Sequence, residues 1–442
     1  MSFLRDSVGA FVLQILAVGL QFLGGVFLAR GLGSEGKGIQ ALVILIPDMA
    51  RAVAHLGFGM ACTRQIVKKP EESGRVAANL VLFAAVAGAV VCTALFLGFS
   101  QLQEFVRARS EADLTALGGD LELAIRLAIL GFPLLLLEGF LSGALVGRRA
   151  ILAANSAKVI QTGSFALLVP LLFWLDAPTV AAAIKAWALS FALGDAAALL
   201  ALWTVLLGPR RPDRRLGKAA LTFGLKAWPT SITVYLLFRI DVVILRYLGT
   251  AEQVGVYSIA AALSMMFQIV GFSIERALAP RIMGKEKEEA DVLTPLVTRS
   301  FLLVAFPLAA VSALLAWPGV PLIFGREYAG AVAPLAIILP GLVIGNVGQL
   351  ANTDLLGRGY PGYASISAVL ALAVNVGLNF LLIPRLGIVG CGLASLVCYS
   401  MFGLVLALIY RRLTGVPVRA LIVPRRQDLG RIRDLLRRRG GG

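Results

Sequence analysis

Ala77-Ala-Asn-Leu-Val-Leu-Phe-Ala-Ala-Val-Ala-Gly-Ala-Val-Val-Cys-Thr-Ala-Leu-Phe-Leu-Gly-Phe99 carries no charge from end to end. Wound as a helix at 1.5 Å per residue, such a run crosses the ~30 Å hydrocarbon layer of a bilayer. Runs of this kind recur along the chain, at 8–29, 39–61, 77–99, 123–146, 151–175, 180–207, 220–247, 255–279, 300–324, 331–355, 362–384 and 388–410. In hydrocarbon a segment must satisfy its own backbone hydrogen bonds, so about twelve transmembrane α-helices are predicted. A closed β-barrel would show ten-residue alternating strands instead, and none is present. Composition agrees. Hydrophobic residues make up 58% and charged residues 15%, against about a quarter charged in soluble domains.

The first apolar run is too long for a signal-peptide core and lacks a small-residue cleavage site, so it counts as a span. Cys62, Cys92, Cys391 and Cys398 lie in apolar surroundings without a CxxC, and there is one histidine. Neither a metal site nor a disulfide framework is expected. Lys and Arg collect in alternate loops: Arg64, Lys68, Lys69 and Arg75; Arg148 and Arg149; Arg210, Arg211, Arg214, Arg215 and Lys218; Arg281, Lys285, Lys287 and Arg299; Arg358. The largest loop on the other side is acidic. The positive-inside rule then puts both termini in the cytoplasm, and topology accounts for the net charge of +16 without a nucleic-acid partner. Leu429, Ile432, Leu435 and Leu436, spaced helically among arginines, predict a basic amphipathic tail suited to membrane lipids.

The halves match each other. Arg30, Leu32, Gly33, Ser34, Glu35 and Gly38 find counterparts half a chain later in Arg246, Leu248, Gly249, Thr250, Glu252 and Gly255. Gly147-Arg148 likewise precedes span five as Gly357-Arg358 precedes span eleven. Six helices per repeat is an even number, so the repeats are parallel and related by an axis along the membrane normal. The expected fold is an all-α integral membrane protein of two six-helix lobes around a central cavity. Residues 1–207 form the N-terminal lobe, 208–219 a basic cytoplasmic linker and hinge, 220–411 the C-terminal lobe and 412–442 a basic cytoplasmic tail.

Ionisable and amide side chains in mid-span are costly and mark function by default. Span two carries Asp48, Arg51 and His55 on one face; span five carries Asn155, Lys158 and Thr162. Span seven has Lys226, Arg239 and Asp241; span eight has Ser264, Gln268, Glu275 and Arg276; span ten has Asn346, Gln349 and Thr353. Cations with neutral hydrogen-bonding groups suit a phosphate-bearing headgroup attached to sugars. Arg51, Lys226 and Arg239 are the candidates for phosphate, and Asn155, Asn346 and Gln349 for sugar. Asp48, His55, Asp241 and Glu275 are the candidates for ion pairing or coupling. Arg51 also has an ordinary partner in Asp48 one turn away.

The sequence resembles bacterial polysaccharide (O-antigen type) flippases of the multidrug/oligosaccharidyl-lipid/polysaccharide exporter superfamily. The likeness is carried by Phe27-Leu-Ala-Arg-Gly-Leu-Gly-Ser-Glu-Gly-Lys-Gly38, and by Phe238-Arg-Ile-Asp-Val-Val-Ile-Leu245 with Gly249 and Tyr257. Phe324-Gly-Arg-Glu-Tyr-Ala-Gly330 and Leu378-Asn-Phe-Leu-Leu-Ile-Pro384 followed by Gly387-Ile-Val-Gly390 complete it. The resemblance implies movement of an undecaprenyl-pyrophosphate-linked oligosaccharide from the inner to the outer leaflet of the bacterial cell membrane, for surface polysaccharide such as lipopolysaccharide. It places Arg239 and Asp241 at the family's Arg-x-Asp, whose basic neighbours hold pyrophosphate. The expected partners are that lipid-linked oligosaccharide, membrane lipids and other polysaccharide assembly proteins; the expected state is a monomer. No cofactor is expected beyond H+ or Na+ coupling.

Three further readings stay open. An ion-coupled multidrug exporter would lean on Asp48, Glu138, Asp195, Asp241 and Glu275. A lipid II flippase would carry two more helices than the twelve found. A membrane glycan polymerase or ligase would present catalytic groups in a large outer loop, where no motif occurs. GxxxxGK[ST] is absent as well, so a transporter without catalytic residues is expected.

Overall fold

The computed structural model describes residues 2–107, 114–282, 287–360 and 362–423. The predicted amphipathic tail, the middle of the acidic loop and the Arg276 side chain lie outside the described residues. Among the described residues all regular structure is helical, and ten helices are long and apolar enough to cross a bilayer. The chain is an all-α multi-pass membrane protein.

Two features reconcile ten with twelve. Helix α1 (Ser2–Ala54) contains both of the first two predicted spans, bent at Gly33 with φ 67 and ψ 176. That conformation is open to glycine and strained for any residue with a Cβ, so the polar loop expected around 30–38 is a bent helix instead. Predicted span seven forms two pieces, α8 (Arg214–Leu237) and α9 (Ile240–Leu248), with Phe238 and Arg239 outside helical geometry. The break divides the span, and neither piece is among the ten. Span two ends early, at Ala54. Leu56 and Gly57 take positive φ, and α2 (Phe58–Lys68) follows as a separate short helix.

The other elements are α3 (Ser73–Leu97), α4 (Phe99–Arg107), α5 (Leu114–Gly147), α6 (Ile151–Asp176), α7 (Val180–Val205), α10 (Ala251–Ile282) and α11 (Lys287–Ile323). After them come α12 (Val332–Gly357), α13 (Tyr363–Leu386), α14 (Ile388–Thr414) and α15 (Val418–Ile422). They run past the predicted spans at most ends, because helical hydrogen bonding continues beyond the hydrocarbon layer. The chain packs as two units: Met1–Ile232 with Thr250–Gly255, and Thr233–Gly249 with Val256–Gly442.

In the first unit α5 packs against α7, α3 and α2. The rings of Phe58 and Phe83 stack at 4.2 Å, with Phe140 set edgewise to Phe58 at 6.3 Å. Asp120 accepts the backbone N–H groups of Val180 and Ala181 at 3.0 and 3.1 Å. A carboxylate there satisfies exposed donors at the positive end of α7.

In the second unit the closest pair is α12 and α14. Gly341, Gly345 and Gly348 lie on one face of α12, against Leu396, Tyr399 and Gly403 of α14. A Cβ on Gly348 would stand 2.2 Å from the Gly403 carbonyl oxygen. Helices in lipid associate by van der Waals contact, so small residues where backbones touch decide how closely they pack.

One turn occurs in both units. Arg148, Arg149 and Ala150 donate their backbone N–H groups to the carbonyls of Ala144, Val146 and Leu145; Arg358, Gly359 and Tyr360 donate to Asp354, Leu356 and Leu355. Donors and acceptors all stand at one constant sequence offset from their counterparts. The middle residue of each turn has positive φ (Arg149 62°, Gly359 85°).

The segment between α7 and α8, expected as a basic linker and hinge, is bound to the start of α3. Ser73 Oγ accepts from Leu207 N at 2.9 Å, Gly74 N donates to Leu207 O at 2.8 Å, and the Asn79 amide both donates to and accepts from the Asp213 backbone. Arg75 and Asp213 form an ion pair at 3.6 Å. Helix α8 starts inside the predicted linker, at Arg214.

Candidate functional site

The predicted polar residues gather in four places, two in each unit. In the first unit Asp48 and Arg51 pair one turn apart at 3.6 Å near the end of α1. Arg51 keeps 35% of its side chain exposed, and its buried Nε meets no acceptor among the described residues. His55 closes the turn that follows. Its Nδ1 accepts from Gly57 N at 2.8 Å, which occupies that nitrogen in holding the backbone. Helix α8 crosses this turn: Gly224 and Gly57 meet backbone to backbone, and the Trp228 indole donates to Ala52 O at 3.3 Å. Lys226, exposed, lies between those two contacts. The structure thus brings the Lys226 stretch of α8 beside the Arg51 turn, although six α-helices separate the two in sequence.

The second place is the stripe on α6. Asn155 Nδ2 donates to Ala10 O of α1 at 2.8 Å, and Thr162 Oγ1 donates to Lys158 O at 3.0 Å. Lys158 pairs with Glu138 of α5 at 3.2 Å. Asn155, expected to face sugar, therefore spends a donor tying two helices together.

In the second unit Asp241 opens α9, and its side chain is buried among donors. Tyr257 Oη and Ser395 Oγ donate to Oδ2, the latter at 3.3 Å, and Val242 N donates to Oδ1 at 2.8 Å. The Arg239 guanidinium acts on Asp241 electrostatically from the helix break two residues before it. Helix α9 packs on α13 and α14. On α13, Asn375 and Asn379 are wholly buried, with the Asn379 amide donating to Asn375 Oδ1 at 2.9 Å. Neither asparagine was singled out as a site residue, although their i, i+4 spacing is the signal used for the other spans.

The last place joins α10 and α12. Gln268 and Asn346 exchange amide hydrogen bonds at 3.2 and 2.8 Å, and Gln349 Nε2 donates to Glu275 at 3.1 Å. The stripes on spans eight and ten face each other, and their amides are partners. Asn346 is 2% exposed.

The chain's chemistry is therefore cationic near the Arg51 turn, and hydrogen-bonded around a buried acid at Asp241. Comparison with known proteins gives this arrangement its setting. A family model described as "Polysaccharide biosynthesis protein" matches residues 3–286. A probable low-salt glycan biosynthesis flippase, Agl15 of Haloferax volcanii, is 22% identical over 413 residues, covering 91% of this chain and 82% of that protein. Among solved structures, the lipid II flippase MurJ in an inward closed conformation superposes with a TM-score of 0.76 at 11% identity, over 95% of this chain and 89% of that one. An inward-facing multidrug resistance MATE family transporter of the MOP superfamily gives 0.73 at 16%, over 92% and 98%. The likeness to these solved structures shows a shared fold, and the family match covers more than half of the chain: the chain belongs to the polysaccharide biosynthesis protein family.

Proposed function

We propose that this chain is a flippase that carries a polyprenyl-pyrophosphate-linked oligosaccharide from the cytoplasmic to the outer leaflet of a bacterial cell membrane, for surface polysaccharide synthesis. The observation that carries the reading is the pairing of two cationic stretches in one unit. Arg51, with a buried Nε that meets no acceptor among the described residues, sits on a turn crossed by the Lys226 stretch of α8. A pyrophosphate accepts charge-assisted hydrogen bonds from such groups. Arg239 is the third cation, at the break in span seven. The amides of Asn346, Gln349 and Asn155 would touch sugar by exchanging their present partners. The chain works as a monomer with both termini cytoplasmic. It catalyses no covalent step, and transport follows from alternating access of the two units. A ligand favours one state only by binding it more tightly than the other. A coupling cation, H+ or Na+, would act through Asp48, His55, Asp241 or Glu275.

The test is binding of a fluorescent undecaprenyl-pyrophosphate oligosaccharide to purified protein. Arg51→Ala and Lys226→Ala are each expected to weaken it by about tenfold, the value of one charge-assisted hydrogen bond of ~1.5 kcal/mol. Unchanged affinity in both would remove the assignment. Tight binding of small organic cations with no binding of the glycolipid would favour the multidrug reading.

A further inference from the structure

In the second half of α7, Asp195 is 3% exposed, and neither carboxylate oxygen meets a donor among the described residues. Buried polar groups are nearly always satisfied, and an unpaired buried carboxylate is among the costliest things a membrane helix can hold. Its surroundings define what it lacks. Gly194, the residue before it, lies against the side chain of Gln161 on α6. The Gln161 carbonyl oxygen is also buried without a donor among the described residues. Lys158, one turn earlier on α6, pairs with Glu138 of α5 at 3.2 Å. The ammonium stands 5.9 Å over the ring of Phe191, one turn before Asp195 on α7.

Two elements packed on α7 thus bring charges to Asp195: α5 with Glu138 and α6 with Lys158, both of which act on it electrostatically. The third, α1, meets α7 through Leu28 and Leu32 against Ala182, Ala183 and Ala186, all apolar. The count is two carboxylates and one ammonium, one negative charge too many for a low-dielectric site. The hydrogen-bond count has the same defect: three buried acceptor oxygens, none of them with a donor among the described residues. A single hydrogen on Asp195 removes the excess charge and reduces the donor deficit, since a protonated carboxyl is neutral and donates one hydrogen bond. A metal cation would cancel the charge as well, but it would have to sit beside the Lys158 ammonium.

We propose that Asp195 is a proton-binding site within the first unit, with the Glu138–Lys158 pair as its charge partner. The proton sits on a carboxylate oxygen of Asp195 and leaves to water as that site is wetted. Its departure leaves Asp195 and Glu138 competing for one ammonium, so Lys158 of α6 is drawn from α5 towards α7. This site is separate from Asp241, which is already surrounded by donors. It gives a proton gradient a place to act, and it rests on reading the chain as a transporter.

The test is infrared spectroscopy of the purified protein across a pH series, following the protonated-carboxyl C=O absorption and its shift in heavy water. A component present in wild type and in Asp241→Asn, and absent in Asp195→Asn, is expected. The asparagine matches aspartic acid in shape and still offers a donor, so that variant should fold with an unchanged melting temperature. The charge count predicts opposite shifts in two further variants. Glu138→Gln leaves one carboxylate to one ammonium and should lower the titration midpoint by roughly one pH unit or more. Lys158→Met leaves two carboxylates unopposed and should raise it by a similar amount. A merely structural aspartate predicts neither shift. A wild-type spectrum without an Asp195-dependent component, midpoints unmoved in both variants, or a component abolished by sodium chloride at fixed pH would each overturn the proposal. No substrate enters this measurement, so its failure leaves glycolipid translocation untouched, and a translocation failure leaves the proton site standing.

Discussion

Asp354 shows how a single buried side chain organises one end of the second unit. It is 0% exposed and accepts from Thr294 Oγ1 at 2.9 Å, Tyr410 Oη at 2.8 Å and Arg358 Nε at 2.7 Å. Arg358 reaches on to Asp291 at 2.6 Å. Three helices, α11, α12 and α14, are tied through one carboxylate. Asp354→Ala would strand the Arg358 guanidinium with one partner, and a loss of about 3–5 kcal/mol is expected. Tyr410→Phe removes one hydrogen bond to a charged group, worth ~1.5–3 kcal/mol. Thermal unfolding in detergent checks both; equal and negligible shifts would show that the network does not hold the helices. Asp354 was not read as a site residue from the sequence, since a lone acid at a span's end looks like a surface charge. What distinguishes it is that two of its partners, Thr294 and Tyr410, come from other helices, and no spacing rule supplies those. The same limit applied to Asn155: its face was legible, while its use as a tie to Ala10 was not.

At the scale of elements, apolar length was legible and interruption was not. The runs at 77–99, 151–175, 180–207 and 388–410 became α3, α6, α7 and α14 within a few residues, because helical hydrogen bonding is forced in lipid. The bend at Gly33, the early end of span two and the break at Phe238-Arg239 all depend on backbone dihedrals that tertiary packing selects. Small residues are the exception, since their spacing can be read. Gly348→Val would drive a branched side chain into the Gly403 backbone of α14, so folded protein should fail to accumulate. Gly377→Ala in α13, with nothing within 4 Å of the added methyl, should leave stability unchanged or raise it by ~0.5–1 kcal/mol. Size-exclusion yield and melting temperature compare the two. The strap between α7 and α8 gives another check. Asn79→Ala deletes both hydrogen bonds to the Asp213 backbone, and trypsin should then cut after Arg210 several-fold faster. An unchanged rate would mean that the Ser73 and Gly74 bonds alone hold the strap.

For the whole molecule, the repeat seen in sequence reappears as the same three-bond turn in each unit, and the polar stripes reappear as four clusters. The clusters differ in character, and that difference carries the functional proposal. One unit offers Arg51 beside the Lys226 stretch, while Asp241 and the Gln268–Asn346 pair in the other are already hydrogen-bonded. An anionic headgroup is met by cations that lack full partners, whereas neutral amides must exchange partners to take part. The most direct measurement is leaflet translocation of a fluorescent undecaprenyl-pyrophosphate oligosaccharide in proteoliposomes, with wild type beside an Arg51→Ala, Lys226→Ala double variant of matched folded content. The account predicts translocation by wild type and a loss of about 100-fold in the double variant, as two charge-assisted bonds of ~1.5 kcal/mol each are removed. Translocation at the wild-type rate in the double variant would contradict it.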